Sequence, residues 1–269
     1  SNVWPAGQDE VVAIEEFGGD LVVFGTNNTV IMTDGAGSSL GIDPTELYVS
    51  DTIPGTGAIS QFAIARGFGD LWVLTNNGVV GLKRELVHKS TQHTNVSRHQ
   101  QSQVITWINA ETSVDDITLE YSPRHSFVIV NFPTSNKQLI YDTRWPLEQG
   151  AFRATTWTSD LQTIKYERNG DRLLGSLTGV AGEVMQYVNH SDNGTAFIFD
   201  YESGWLDLGE QLNIFLKFTK RLTSFVFVQS NTAVTHKVDY DFGKGEFSLN
   251  KTIAGSNTAE WGNFEWGSN

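Results

Sequence analysis

The sequence predicts an all-β fold made of β-propeller blades, with a short helical insertion and a β-sandwich-like C-terminal module. Three observations predict it. The chain has 269 residues with 26 glycines and 12% aromatics, a supply of tight turns and of large apolar side chains. A phrase of turn, apolar strand, turn and apolar strand recurs along the first two-thirds of the chain. Its turn centres, Gly19, Gly69, Arg124 and Gly170, lie 50, 55 and 46 residues apart, the spacing of blades built from short antiparallel strands.

The first unit reads Glu15-Glu16-Phe17-Gly18-Gly19-Asp20-Leu21-Val22-Val23-Phe24, then an Asn27-Asn28 turn, then Thr29-Val30-Ile31-Met32. The second repeats it as Gly67-Phe68-Gly69-Asp70-Leu71-Trp72-Val73-Leu74, Asn76-Asn77 and Gly78-Val79-Val80. Gly and Asn tolerate positive φ, so both turns carry hairpin chemistry. The third unit has Ser122-Pro123-Arg124-His125 before Phe127-Val128-Ile129-Val130 and Leu139-Ile140-Tyr141. The fourth has Arg168-Asn169-Gly170-Asp171 before Leu173-Leu174-Gly175 and Val184-Met185-Gln186-Tyr187. One such unit buries its faces only against neighbours. An ordinary β-sandwich or meander is the competing arrangement. Four units are few for a closed ring of blades, so further blades are expected from sequence before Ser1.

Residues 1–209 are accordingly assigned to blades, with a polar insertion over about 84–111. In it, Ser97 is the expected N-cap of a short helix, with Val104, Trp107 and Ile108 on one face. Residues 210–269 form the C-terminal module, where Leu212 to Phe218, Ser224 to Val228 and His236 to Tyr240 alternate like strands.

The balance of 18 Lys+Arg against 31 Asp+Glu gives a net charge of −13. This argues against a protein that reads nucleic acid through a basic patch, though not against one past which nucleic acid slides. With no cysteine, disulfides, thiolate metal sites and cysteine nucleophiles are excluded. No apolar run is long enough for a membrane span. His88, His93 and His99 are spaced by five and six, which places no two on one helical face, so a solvated insertion is expected there. The carboxylates of 239–246 lack the full calcium-loop spacing. Glu15-Glu16 and Asp115-Asp116 are sequence neighbours that point to opposite faces of a strand, not across a cleft. Hydrolase and phosphate-loop motifs are absent. No enzyme, metal or cofactor is therefore expected.

The run Val11 to Met32 resembles the central segment of tail hub and nozzle proteins of short-tailed bacteriophages, the packaged-DNA-stabilisation and tail tubular protein B family. Later features follow that family's order. A polar helical stretch precedes Leu139-Ile140-Tyr141-Asp142, then Thr155-Thr156-Trp157-Thr158, then Gly182-Glu183-Val184-Met185-Gln186-Tyr187. The likeness covers roughly Val11 to Gly209. It implies a non-enzymatic virion tail protein, assembled in the bacterial cytoplasm into a homo-oligomeric ring, with six-fold symmetry expected. The ring would meet portal and adaptor proteins, dock fibres or spikes, and pass double-stranded DNA along an acidic channel.

The contact loops expected on this reading are the excursions from the blades. They carry Gly35, Gly37, Asp43, Asp51, Gly55 and Gly57, then His93 and Arg98, then Trp261, Phe264 and Trp266. The Gly35–Gly57 loop is the expected constriction. Two alternatives stay open: a carbohydrate-binding or glycan-degrading propeller, and a peptide-binding propeller scaffold.

Overall fold

The structure, a computed structural model, describes residues 4, 9–34, 45–82, 94–147, 150–180, 182–187, 232–240 and 245–253. The chain divides into two compact units, Ser1–His190 and Ser191–Asn269. The described residues are mainly strands in several antiparallel sheets, so the fold is all-β. No described helix is long and apolar enough to cross a membrane.

Each recurring turn is the first hairpin of a sheet. The first sheet is β1 (Val11–Phe17), β2 (Asp20–Gly25), β3 (Asn28–Thr33) and β4 (Tyr48–Pro54), paired in chain order. The second is β5 (Ile64–Gly67), β6 (Asp70–Thr75), β7 (Gly78–Gly81) and the short β8 (Thr94–Asn95). The third is β9 (Thr118–Ser122), β10 (Phe127–Phe132), β11 (Lys137–Pro146) and β12 (Phe152–Trp157). The fourth has β13 (Leu161–Glu167), β14 (Arg172–Leu177) and β15 (Met185–Gln186).

Turn chemistry separates the four hairpins into two pairs. The first two have two-residue loops with both residues left-handed: Gly18 and Gly19 at φ 66° and 94°, Phe68 and Gly69 at 53° and 67°. This turn twists with the strands it joins. Phe68 carries a Cβ there, at a cost of about 1–2 kcal/mol. Its ring packs edge-on to Phe152, centroids 6.1 Å apart, a contact that offsets the strain. The other two have four-residue loops ending in left-handed Ser126 (φ 56°) and Asp171 (φ 51°).

Side-chain alternation explains why the central strands are apolar throughout. On β6, Leu71 and Val73 pack with Val22, Phe24 and Ile31 of the first sheet. Trp72 and Leu74 point the other way, into a core with Val128, Val130, Leu139 and Tyr141 of the third sheet. On β10, Phe127 and Ile129 turn from that core toward Ile164 and Leu173 of the fourth sheet. A strand covered on both faces needs an apolar residue at every position. Strand β13 buries only Ile164 fully and reads as alternating Leu-Gln-Thr-Ile-Lys-Tyr-Glu. The far face of the first sheet carries Val23 and Val30, covered by Trp4.

The helix α1 (Gln101–Ala110) is part of the core. Val104 and Ile108 are buried, and Trp107 packs against Phe132 with centroids 5.4 Å apart. Its N-cap is Gln100 and not Ser97. The Ser97 hydroxyl is already engaged, accepting the Val79 N–H at 3.0 Å and donating to Asn95 Oδ1 at 3.1 Å. The expected insertion thus supplies, within its described part, a fourth strand for the second sheet and a helix that closes the seam to the third.

Asp9 fixes the Asn-rich turn between β2 and β3. Its carboxylate accepts the backbone N–H groups of Thr26, Asn27 and Asn28 at 2.9–3.1 Å. Burial works to raise its pKa, but the hydrogen bonds from Asn27, Glu10 and Asn28 outweigh it and hold the carboxyl below its ordinary value. In the second unit, β16 (Thr232–Tyr240) and β17 (Gly245–Ile253) pair antiparallel along their whole length.

Candidate functional site

The first strands of the four sheets, β1, β5, β9 and β13, gather around one cleft of about 950 Å³. Its walls include Glu15, Phe17, Arg66, Glu120, Tyr121 and Lys165. Strand order places them there. In an up-and-down sheet the first strand is an edge, and face-to-face packing brings four such edges together. The contact is close where Gly67 meets Tyr121: a Cβ on Gly67 would lie 2.1 Å from the ring. Beyond the end of β5, the Leu119 N–H donates to the Phe62 carbonyl at 2.9 Å.

Ion pairs join neighbouring sheets at this cleft. Arg66 Nη1 donates to Glu16 Oε2 at 2.9 Å, and its Nη2 lies 3.5 Å from Glu15 Oε2 and also donates to the Glu16 carbonyl. The Gly19 N–H, 3.3 Å away, and then Arg66 hold the Glu16 carboxyl below its ordinary pKa. Lys165 of the fourth sheet donates to Glu120 of the third. The Glu120 side chain is only 14% exposed whereas that of Lys165 is 78% exposed. Burial raises the Glu120 pKa, and the Lys165 ammonium offsets only part of that rise.

Beside the cleft, the hairpin loop of the third sheet seats His125. Its Nδ1 lies 2.8 Å from Ser122 Oγ, and its ring packs on Phe127 and Tyr187 with centroids 5.5 and 4.8 Å away. Burial, aided by Arg124, lowers its pKa. Trp157 stacks on Tyr187 at 5.4 Å and completes an aromatic seam between the third and fourth sheets. Chemically, the cleft matches cations with carboxylates from adjacent sheets and presents ring edges between them. Among the described residues no group of three or more metal-ligating side chains forms.

The expected contact residues lie elsewhere. Asp51 sits within β4, opposite Ile31, and its Oδ1 accepts the Thr52 N–H at 2.8 Å. The second half of the expected constriction loop is therefore a strand, because Val49 to Ile53 pair with β3. Gly55 turns the chain at φ 72°. Gly57 is pressed on the β2–β3 turn, where a Cβ would lie 2.2 Å from the Thr26 carbonyl oxygen. Arg98 is exposed in the turn before α1. Gly35, Gly37, Asp43, His93, Trp261, Phe264 and Trp266 lie outside the described residues.

Glu15 and Glu16, expected on opposite faces of a strand, both reach Arg66 because its long side chain spans the strand edge; the other cleft residues were absent from the sequence-based list, yet a signal for them existed. Glu16 and Arg66 each stand three residues before the repeated turn centres Gly19 and Gly69. Aligning the repeats on their turns superposes a carboxylate on a guanidinium. Comparison with protein-family models and with curated proteins finds no match.

Proposed function

We propose that this chain is a structural, non-enzymatic subunit of a virion tail hub or nozzle, its stacked sheets serving as propeller blades in a ring that extends a DNA channel. The observation that carries this reading is the convergence of β1, β5, β9 and β13 on one cleft, which blades set around an axis would produce. The ordered likeness of Val11 to Gly209 to the nozzle family supports it. So does the net charge of −13, since an acidic wall repels phosphate and lets DNA pass. In this role the Arg66 and Lys165 pairs lie between neighbouring blades. Portal and adaptor proteins on one side and fibres or spikes on the other are the partners such a ring requires.

A second reading, a carbohydrate-binding propeller, is favoured by one feature. The cleft sets the largely buried Glu120, whose carboxyl pKa burial raises, among Glu15, Tyr121 and Tyr166, and a perturbed carboxyl in a cleft marks a candidate functional site. Electron microscopy and mass photometry of the protein, alone and mixed with portal and adaptor, test the two. A closed ring with an open axial channel is expected. A particle that stays monomeric with those components and is retained on a glycan array would overturn the nozzle reading.

A further inference from the structure

The hairpin loops carry one reactive dipeptide at two described positions. Asn77-Gly78 closes the β6–β7 hairpin, and Asn169-Gly170 lies in the loop between β13 and β14; a third, Asn193-Gly194, lies outside the described residues. In such a pair the backbone nitrogen of glycine can attack the asparagine Cγ, because no Cβ crowds the approach. A five-membered succinimide closes as the side-chain amide nitrogen leaves as ammonia, taking with it the proton of the attacking N–H. Water then opens the imide to aspartate, or to isoaspartate, in which the main chain runs through the side chain. The sequence of steps consumes only water and releases only ammonia.

The fold treats the two sites differently. Gly78 is buried and pairs with Thr75 in the ladder. Its carbonyl accepts from Thr75 Oγ1 at 2.9 Å, and the Asn77 N–H donates to the same hydroxyl at 3.1 Å. A Cβ on Gly78 would lie 2.3 Å from Ser97 Oγ. Turning the Gly78 nitrogen onto the Asn77 side chain would break this set and move the strand. Asn169, by contrast, is exposed, and Gly170 is half-buried. Gly170 lies beyond the last ladder pair of its hairpin, Glu167 with Arg172. Its N–H donates to the Glu167 carboxylate, at 3.0 Å to Oε1 and 2.9 Å to Oε2. That contact can open without moving a strand.

We propose that Asn169-Gly170 is a spontaneous modification site of the folded protein: Asn169 converts to aspartate and isoaspartate while Asn77 stays intact, and Glu167 is the group that restrains the reaction. A hydrogen-bonded N–H keeps its proton, and a carboxylate beside it opposes the negative charge that the attacking nitrogen must carry. The site matters for the seam it borders. Asp171, two residues on, accepts from Arg124 Nη1 of the third sheet's loop through its carbonyl at 3.4 Å, and from the Tyr166 hydroxyl through its carboxylate. Arg168, one residue before, lines the cleft. Conversion adds a negative charge, and the isoaspartate form adds a methylene to the main chain, so the loop that meets the third sheet is re-spaced and recharged.

Peptide mapping by mass spectrometry tests this on native protein aged in mildly alkaline buffer, with fragmentation that separates aspartate from isoaspartate. Asn169 is expected to convert at least about tenfold faster than Asn77, the factor that ~1.4 kcal/mol of extra local opening imposes. In urea, where both loops are free, the two sites are expected to convert at similar rates. G170A is expected to suppress conversion at Asn169 and to fold normally. Gly170 has no positive φ, and the atoms its Cβ would meet belong to the movable side chains of Glu167 and Arg172. E167A is expected to speed conversion about two- to tenfold, the worth of one net hydrogen bond. Equal rates at the two sites in the native protein, faster conversion at Asn77, an Asn169 that stays intact, or a gap that persists in urea would each overturn the proposal. An E167A rate at or below that of the wild type would overturn the role given to Glu167.

Discussion

Arg66 donates to Glu16 at 2.9 Å across a sequence separation of 50 residues, which is also the distance from Gly19 to Gly69. The two residues hold equivalent places in successive sheets, so the repeat has been edited at one position to put opposite charges face to face. Both side chains are about half exposed, and exposed pairs contribute little. A double-mutant cycle with R66M and E16Q, read by urea denaturation, is expected to give a coupling of about 0.2–1 kcal/mol. A value well above that range would mean that the pair works in a drier setting than its exposure indicates.

The approach of Gly67 to Tyr121 is a tighter constraint. A methyl group at Gly67 meets the ring at 2.1 Å, so β5 or β9 must shift. G67A is expected to destabilise by about 1–3 kcal/mol, the usual cost of overpacking. Adding Y121A should return part of the loss, because it removes the obstacle. No recovery in thermal or urea melts of the double variant would show that the glycine is required for backbone reasons alone.

Two tryptophans of opposite setting offer a controlled comparison. Trp72 is 1% exposed between the second and third sheets, with Phe152 5.1 Å and Tyr141 6.1 Å away between centroids. W72A is expected to cost about 3–5 kcal/mol and to broaden or abolish the unfolding transition. W145A, at a site 68% exposed, is expected to stay within about 0.5 kcal/mol of the wild type. Equal effects on the two melting curves would contradict the packing described.

Glu120 sets a pH dependence with a definite sign. Burial raises its carboxyl pKa in the folded chain. Between the unfolded and folded values the native state holds more protons than the unfolded state, so stability falls as pH rises through that window. Glu16 and Asp9, with lowered values, act in the opposite sense, and their contribution is lost as pH falls through their folded values. Relative to the wild type, E120Q is expected to gain stability progressively as pH rises from the ordinary glutamate value through the raised folded one. Denaturation midpoints at a series of pH values check this; a difference that shrinks with rising pH would be incompatible with a raised Glu120.

Much of the architecture was legible. The Gly-Asp-Leu and Asn-Asn repeats marked real hairpins, because turn chemistry is local and φ > 0 is a demand on single residues. The continuous apolar runs of β2, β6 and β10 marked strands covered on both faces. Strand β4 was hidden: Val49 to Ile53 stand between glycines at 35–41 and 55–57, and glycine content reads as loop. The helix was expected in a solvated excursion, whereas it seals a core, because its partners Phe132 and Val130 come from a later unit and no local pattern names them. The cleft was illegible for the same reason. Its walls are drawn from four segments spread over more than a hundred residues, and only the stacking of sheets unites them.

The stack of sheets has a mechanical corollary. Each sheet grips only its neighbours, and the grips are unequal. The seam between the second and third sheets holds Trp72, Tyr141, Phe132, Phe152 and the helix, whereas the fourth sheet is held by a much smaller apolar cluster and the Lys165 bridge. Tension applied along the chain would not be shared evenly. Within the first unit, the fourth sheet would peel first at low force and the central pair would resist longest, a spring with a soft end and a stiff middle.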